Sequence, residues 1–155
     1  MRGKPAPKRK IIPDPRYHRV DVAKFVNAIM RDGKKSLAQS IVYNAFDIIK
    51  QKTQKDPVMV FDLAIKNITP MVEVRGRRIG GGNYQIPYPV KGDRRNALAF
   101  RWLIGAAKVQ KGRPMHEKLA NELIAASQKQ GEAMRKKQDV HRMAEANRAF
   151  AHFAR

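Results

Sequence analysis

Apolar residues recur at intervals of three and four over most of the first 70 residues, which is the spacing of one buried helix face. The clearest stretch covers 35–52, where two apolar rows run side by side. Aspartate is a favourable residue before a helix and glycine after one, while proline stops a helix. The pattern predicts three helices, one from Asp21 to Asp32-Gly33, one over about 35–52 and one from Asp56-Pro57 to Pro70.

After Pro70 the pattern changes from helical to alternating. Residues 71–79 and 84–90 alternate, and the segment 80–83 between them reads Gly-Gly-Gly-Asn, which predicts a β-hairpin. Pro87 and Pro89 are two residues apart, so their missing amide donors lie on one strand edge and can face away from the pair. Because an isolated two-stranded ribbon is marginal in water, we expect it either to pack on the body or to project and be ordered by a partner.

The helical spacing returns after the hairpin. It predicts helices over about 94–111, capped by Asp93, over about 115–130, and from 132 to near 151. In the first of these we expect Leu98, Trp102, Gly105 and Val109 to form the inward row. The predicted fold is therefore mainly α, a bundle of about six helices with a projecting two-stranded β-hairpin arm between helices 3 and 4. We expect a basic extended arm over 1–19 and a single helical domain over 20–155, with the hairpin at about 71–91.

Charge adds a functional constraint to this bundle. The chain has 155 residues, with 33 Lys and Arg against 13 Asp and Glu, a formal net charge of +20. So large a charge on one small domain opposes its own folding and indicates a polyanionic partner. The absence of cysteine excludes disulfides and thiol catalysis, and no apolar run reaches the roughly 18 residues of a membrane span. We expect a soluble, intracellular, cytoplasmic protein that does not bind membranes.

The positive charge is concentrated in two parts of the chain. Residues 1–19 hold seven basic residues, one acid and four prolines, which predicts an extended arm ordered by a polyanion. A merely solubilising tail is the alternative. Residues 71–112 hold nine basic residues and two acids. Both segments therefore favour an interface with a polyanion.

The fourth predicted helix carries a basic ridge. Arg94, Arg101 and Lys108 are seven residues apart, so they drift only about 20° per step around the helix, and Arg95 widens the start of the ridge. No Asp or Glu lies between residues 94 and 116 to neutralise them locally. We interpret the ridge as a polyanion contact, with an ordinary solvated helix face as the alternative.

Two further groups of residues are suited to phosphate. The hairpin carries Arg75, Arg77 and Arg78, whose guanidinium groups can clamp phosphates, beside tyrosines that either stack on bases or pack the hairpin root. Lys34 and Lys35 precede a helix, where ammonium groups and free backbone donors favour an anion. A solvated helix cap is the alternative there.

No pattern of catalysis or cofactor binding is present in the sequence. The glycine triplet lacks the lysine spacing of a nucleotide-phosphate loop, and the four histidines do not form a metal-ligand spacing. The acids are scattered and show no nucleophile-base arrangement. We expect neither an enzyme nor a bound cofactor or metal.

A set of short motifs, in order along the whole chain, resembles the bacterial-type small-subunit ribosomal protein seven family. The motifs are Ile11-Ile-Pro-Asp-Pro15, Asp32-Gly-Lys-Lys35, Val72-Glu-Val-Arg75, Arg77-Arg78-Ile-Gly-Gly81, Tyr84-Gln-Ile-Pro87, Arg94-Arg-Asn-Ala-Leu98, Arg101-Trp102, Leu119-Ala-Asn-Glu-Leu123 and Val140-His-Arg-Met-Ala-Glu-Ala-Asn147. Each string is weak alone, but the ordered set is specific.

The resemblance implies a structural constituent of the small ribosomal subunit. It implies primary binding to the 3′ major domain of small-subunit rRNA, nucleation of head assembly, and a hairpin near the exit-site tRNA and the mRNA path. It also implies ribosomal proteins nine and eleven of the same subunit as neighbours. An autoregulatory messenger repressor using the same surface, a DNA-binding architectural protein and, least favoured, an enzyme are the alternatives.

Resemblance and charge pattern together define the candidate residues. The candidate rRNA-binding residues are Arg2, Lys4, Lys8, Arg9, Lys10, Lys34, Lys35, Arg75, Arg77, Arg78, Arg94, Arg95, Arg101, Lys108 and Arg142. The candidate tRNA- and mRNA-proximal tip consists of Arg78, Gly80, Gly81, Gly82, Asn83 and Tyr84. The chain departs from the family pattern at Gly76, where a side chain is usual, at the hairpin exit 90–93, and at its C-terminal residues 151–155.

Overall fold

The computed structural model describes residues 3, 7 and 10–154. The candidate residues Arg2, Lys4, Lys8 and Arg9 lie outside this part of the chain. Within it, six α-helices, one antiparallel hairpin and a short 3₁₀-helix follow one another, which confirms the predicted fold class. The elements are α1 (Val20–Ile29), α2 (Lys35–Thr53), α3 (Pro57–Ile68), β1 (Val72–Ile79), β2 (Gly82–Pro89), α4 (Asp93–Val109), α5 (Met115–Ser127), α6 (Glu132–Ala146) and the 3₁₀-helix (Arg148–Phe153).

A cluster of phenylalanine rings joins four of the helices at the centre of the bundle. The ring of Phe25 in α1 lies 5.2 Å from the rings of both Phe61 in α3 and Phe100 in α4. The ring of Phe46 in α2 lies 5.6 Å from that of Phe61. All four are buried, and the rings of these three pairs are tilted against each other by 53–55°, so that ring contacts add to the hydrophobic gain from their burial. Because Phe100 belongs to α4, this cluster fixes α4, and with it the basic surface of that helix, in the bundle.

The helix ends differ in detail from the predicted ones. Asp56 caps α3 as predicted, accepting a hydrogen bond from the Val58 N–H at 3.0 Å. Asp21 and Asp93 instead lie in the first turns of α1 and α4, and both are paired with cations, Asp93 with Lys24 at 3.0 Å. The backbone turns left-handed over 32–33 after α1 has already ended at Ile29. Asp21 thus pairs with the nearby Arg19 and Asp93 with Lys24 of another helix, although local rules assign both carboxylates to caps.

The inward face of α4 agrees with the predicted row only at Leu98, which is buried. Gly105 and Val109 are exposed, Val109 to 74%, and Trp102 is only half-buried. The rest of the buried face is formed by neighbouring positions and is rich in alanine: Ala99, Phe100, Leu103, Ile104, Ala106 and Ala107. Small residues let α4 lie close to α5 and α6, so the helix turns its alanines inward and leaves some larger residues outside.

A buried glutamate joins the last three helices. Oε1 of Glu122 in α5 accepts a hydrogen bond from the Ala133 N–H at 2.8 Å, in the first turn of α6, and its Oε2 accepts one from Nε2 of Gln110 at 3.3 Å. Burial raises the pKa of Glu122 above its ordinary value, although these hydrogen bonds favour the ionised form. Gly131 precedes α6 with a φ of +96°, and a Cβ there would lie 2.7 Å from Oε1 of Glu122. This junction therefore admits only glycine.

Gly131→Ala is expected to lower the free energy of unfolding by about 3 kcal/mol, because a positive φ and a clash with a buried carboxylate act together. Gly112→Ala is the matched control, since Gly112 has a φ of +74° but open space around its Cβ position. It should cost only about 1 kcal/mol. Denaturant unfolding of both variants measures the difference, and equal losses would contradict the role assigned to Glu122.

Candidate nucleic-acid interface

The predicted ridge on α4 is present and exposed. Arg94, Arg101 and Lys108 all lie on the solvent side of the helix, opposite the alanine-rich face. In the described part of the chain no acid forms an ion pair with Arg101 or Lys108. Their charges are therefore not neutralised within the fold and are accessible to an external anion.

Two surface grooves connect this ridge to the start of α2. The first lies between α1 and α4, has an apolar floor that includes Phe100 and Ile104, and has Arg101 and Lys108 at its edge. The second also contains Ile104 and Lys108 and extends to Lys34. Since the grooves share two residues, the ridge and the α2 N-terminus belong to one continuous surface.

Lys34 and Lys35 lie where the sequence predicts them, at the beginning of α2. Both side chains are exposed, and the first intrahelical hydrogen bond runs from the Ala38 N–H to the Lys34 carbonyl at 3.3 Å. The amides of Lys34 and Lys35 themselves donate back into the preceding turn. Those two amides are therefore already engaged, whereas the two exposed ammonium groups can meet an anion at this helix end.

The turn of the hairpin is tighter than predicted. Ile79 pairs with Gly82, so the loop contains only Gly80 and Gly81, with φ values of +55° and +89°. Positive φ at both loop positions defines the primed turn that matches the twist of the strands. Gly82 and Asn83, which the sequence assigns to the turn, belong to β2 because the two-residue loop closes the ladder earlier.

The strand edge that carries the prolines faces away from its partner, as predicted. The Val90 N–H donates to the Met71 carbonyl at 2.9 Å, and bonded pairs alternate along an antiparallel ladder. Pro87 and Pro89 therefore occupy positions whose nitrogens point outward. The described residues form no third strand beside them.

One face of the hairpin packs on the body. Ile86 is fully buried, the Tyr84 ring lies 5.0 Å from the Phe150 ring, and Nη1 of Arg77 donates to the Phe153 carbonyl at 3.1 Å. Of the two expected outcomes for the ribbon, packing therefore applies to this face, which lies against the C-terminal 3₁₀-helix. Tyr84 keeps 37% of its surface exposed beside Phe150.

The predicted arginines of β1 lie on two different faces. Arg75 and Arg77 share the packed face, whereas Arg78, opposite Asn83, alternates to the outer face. The candidate tip is thus split, with Arg78 and Asn83 on the outer face and Tyr84 on the packed one. A contact with nucleic acid from the outer face would use Arg78 rather than Arg77.

At the root of the hairpin a buried glutamate binds two of the candidate arginines. Nε of Arg75 donates to Oε1 of Glu73 at 2.7 Å, and its Nη2 donates to the same oxygen. Nε and Nη2 of Arg94 donate to Oε2 at 3.1 and 3.0 Å. Burial alone would raise the pKa of Glu73, but the hydrogen bonds and charges of the two guanidinium groups together lower it below the ordinary value.

Arg95 is also engaged within the fold. Its Nε donates to the Val90 carbonyl at 2.9 Å, which ties the start of α4 to the exit of the hairpin. Together with Glu73, Arg94 and Arg75, it fixes the hairpin root against α4. The sequence pattern missed this structural use, although Glu73 is one of only two acids in the basic segment 71–112.

The segment before α1 is anchored to the body from Asp14 onward. Oδ1 of the buried Asp14 accepts from the Tyr43 hydroxyl at 2.8 Å, and Oδ2 accepts from the N–H groups of Arg16 and Tyr17. Burial, followed by the hydrogen bond to Asp14, raises the pKa of Tyr43 to about 12. Lys10 is exposed just before this anchor. The anchor sets the point from which any arm leaves the bundle.

The last helix carries weakly paired charges. Arg142 is exposed and lies 3.7 Å from Asp139, and two more pairs join Arg135 to Glu132 and Arg148 to Glu145. All three pairs are three residues apart rather than four, and exposed pairs of this kind contribute little to stability. Arg142 thus remains accessible, but away from the α4 ridge in sequence and element.

Comparison with known proteins supplies the context for this surface. The family described as Ribosomal protein S7p/S5e matches residues 1–148. The small ribosomal subunit protein uS7 of Thermotoga maritima is 58% identical over 153 residues and 99% of both chains. The proteins of the same name from Polynucleobacter necessarius and Mycoplasmopsis agalactiae are 54% and 57% identical, over 98% and 96% of this chain and 97% and 95% of theirs.

A match of this extent over the full bundle, hairpin included, defines a structural protein of the small ribosomal subunit rather than an enzyme. More particularly, the chain belongs to the S7p/S5e family of ribosomal proteins. The resemblance drawn from the short motifs is thereby confirmed. None of the described helices is long and apolar enough to cross a bilayer.

The departure from the family pattern at Gly76 has a measurable consequence. Gly76 lies in extended β1, and a Cβ there would be 3.5 Å from Nε2 of Gln85, an ordinary contact. Gly76→Ala should stabilise the protein by about 0.5–1 kcal/mol, because glycine loses more backbone freedom on folding. Gly82→Ala is the control: its Cβ would lie 3.0 Å from the Tyr84 ring, so no gain is expected. Thermal unfolding of both variants tests this, and a loss at Gly76 would contradict it.

The two buried glutamates should respond to pH with opposite signs. Because the folded-state pKa of Glu73 is lowered, its stabilising effect should be complete above about pH 4.5 and lost as the pH falls further. Because that of Glu122 is raised, its carboxylate should cost stability as the pH rises above about 4.5. The stability gap between wild type and Glu73→Gln should therefore narrow on acidification.

Glu122→Gln is the matched comparison. The wild type should lose stability as the pH rises through the folded-state pKa of Glu122. The variant should not show this loss, because its amide cannot ionise. Urea unfolding between pH 3 and 7 measures both effects. Two variants that follow parallel pH profiles would contradict the assigned environments.

Proposed function

We propose that this chain is a primary binder of the 3′ major domain of small-subunit rRNA and nucleates assembly of the subunit head. We also propose that it lies at the subunit interface, near the exit-site tRNA and the mRNA path, with ribosomal proteins nine and eleven as neighbours. This places it in cytoplasmic ribosomes. The names of its relatives support the ribosomal setting, and the charge of the described surface supports RNA as the partner.

The observation that carries the proposal is the un-neutralised part of the α4 ridge. Arg101 and Lys108 are exposed beside a groove that continues to Lys34, and both belong to α4, whose opposite face is buried in the bundle. A rigid row of cations of this kind suits the phosphates of a folded RNA. Side chains cannot read the deep major groove of an RNA helix, so binding through phosphates and shape is the mode to expect.

The hairpin supplies the second part of the proposed surface. Its outer face presents Arg78 and Asn83 next to the exposed Gly80-Gly81 turn. A turn without side chains lets a sugar-phosphate chain approach the backbone closely. We assign this face to the tRNA- and mRNA-proximal role, with Lys10, Lys35 and Arg142 as outlying rRNA contacts and residues 1–19 as an arm attached to the domain 20–155.

RNA selectivity tests the proposal directly. The purified protein should bind a transcript of the 3′ major domain of small-subunit rRNA more tightly than a random RNA duplex of equal length at moderate ionic strength. Filter binding with both RNAs measures this preference. Equal affinity for the two would overturn the proposal.

The salt dependence of binding tests the ridge itself. Neutralising Arg101 and Lys108 together to Gln should lower the slope of log affinity against log salt by about 1.5, since each lost phosphate contact removes roughly 0.7–0.9. The control is the double change of Lys50 and Lys55 to Gln, which removes the same charge in the last turn of α2 and just after it. Its slope should stay close to that of the wild type. Equal reductions in the two double variants would exclude the ridge as the contact.

A further inference from the structure

We propose that Glu73 is a positioning residue for RNA binding, holding Arg75 and Arg94 as a fixed pair that receives one backbone phosphate at the root of the hairpin. The inference deepens the proposed function and rests on it. Glu73, although negatively charged, would thus increase the affinity for RNA. The charge pattern alone would suggest the opposite effect.

The geometry of the three side chains supports a shared phosphate site. Each carboxylate oxygen of Glu73 takes one guanidinium group, Oε1 that of Arg75 and Oε2 that of Arg94. A guanidinium has five N–H donors, and Nε and Nη2 contribute one each to Glu73, so three donors of each arginine are not used by Glu73. The cluster keeps one net positive charge.

Burial separates the roles of the acid and the arginines. The Glu73 side chain is 8% exposed, whereas those of Arg75 and Arg94 are 58% and 45% exposed. The carboxylate is thus an internal support that solvent scarcely reaches, and the guanidinium groups form the outer surface. A phosphate can approach the arginines without displacing Glu73.

The cluster of Glu73, Arg75 and Arg94 also connects two elements that no local rule brings together. Arg75 is on β1 and Arg94 is on the first turn of α4, with the end of β1, the turn and all of β2 between them in sequence. The guanidinium of Arg75 is further held 5.0 Å from the centre of the Tyr88 ring. Long, flexible side chains lose conformational entropy on binding, and prior ordering removes that cost from the binding step.

Two physical effects of Glu73 on RNA affinity have opposite signs, which makes the inference testable. As a negative charge, Glu73 repels phosphate, so its removal should strengthen binding. As the support of two arginines, its removal should weaken binding, because both guanidinium groups would have to be ordered by the RNA. We infer that the second effect prevails, since the carboxylate is buried and neutralised by two direct partners.

The experiment compares Glu73→Gln with Asp93→Asn, using filter binding of the full chain to the 3′ major domain transcript. Both changes remove one negative charge from the same end of α4, but Asp93 is 79% exposed and pairs with Lys24. Glu73→Gln should weaken binding by roughly tenfold, the effect of ordering two long side chains on association. Asp93→Asn should leave binding unchanged or tighten it by up to about twofold. Tighter binding by Glu73→Gln would overturn the inference.

A double-mutant cycle shows whether Glu73 acts through the arginines. In a background with Arg75 and Arg94 both changed to Gln, the further change Glu73→Gln should no longer weaken binding, because only the repulsion between Glu73 and phosphate is left to remove. A persisting tenfold loss would contradict the positioning role. If Glu73→Gln fails to fold, Glu73→Asp serves instead, since it keeps the charge but has a side chain one methylene shorter. It should weaken RNA binding at unchanged net charge. Wild-type affinity for that variant would count against the inference.

The outcomes separate this inference from the proposed function. Loss of selectivity for the ribosomal transcript by the wild-type protein would remove the proposed function, whatever Glu73 does. Retained wild-type selectivity together with unchanged or tighter binding by Glu73→Gln would remove only the positioning role.

Discussion

The excess of positive charge is the constraint on which the rest of this structure depends. With 33 basic residues against 13 acids, the folded chain must hold mutually repelling side chains on a small body. The three buried acids of the described chain all lie where elements meet. Asp14 anchors the segment before α1, Glu73 fixes the hairpin root, and Glu122 closes the junction of α5 and α6, each with several hydrogen bonds. Arg101 and Lys108, which pair with no acid among the described residues, face outward on α4.

This distribution divides the basic residues into two kinds. Arg94 and Arg95 hold the hairpin to α4, and Arg75 shares the Glu73 carboxylate with Arg94, so their loss would change the shape of the molecule as well as its charge. Arg101 and Lys108 contribute only charge, since the fold does not use them. The proposed RNA surface thus combines a positioned pair at the hairpin root with a plain cationic row along the helix.

Local patterns in the sequence were sufficient to predict most of the architecture. Helical and alternating spacing predicted six helices and the hairpin in order, and Asp56 and the glycine turn behaved as their residue types suggest. Local patterns were insufficient where contacts between remote elements decide the partner or the orientation of a side chain. Asp93 pairs with Lys24 of α1 rather than capping α4, and the inward face of α4 follows its alanines rather than Gly105 and Val109.

The sequence by itself determined the helical class, the polyanionic partner and the family, because periodicity, net charge and ordered motifs are properties of the chain and need no third dimension. Only the tertiary structure decided which cations are available. Whether Arg94 meets a phosphate alone or beside Arg75 depends on a carboxylate 21 residues away in sequence. Long-range ion pairs, and the packing of Tyr84 on Phe150, arise from how helices and strands come together, which no local pattern encodes.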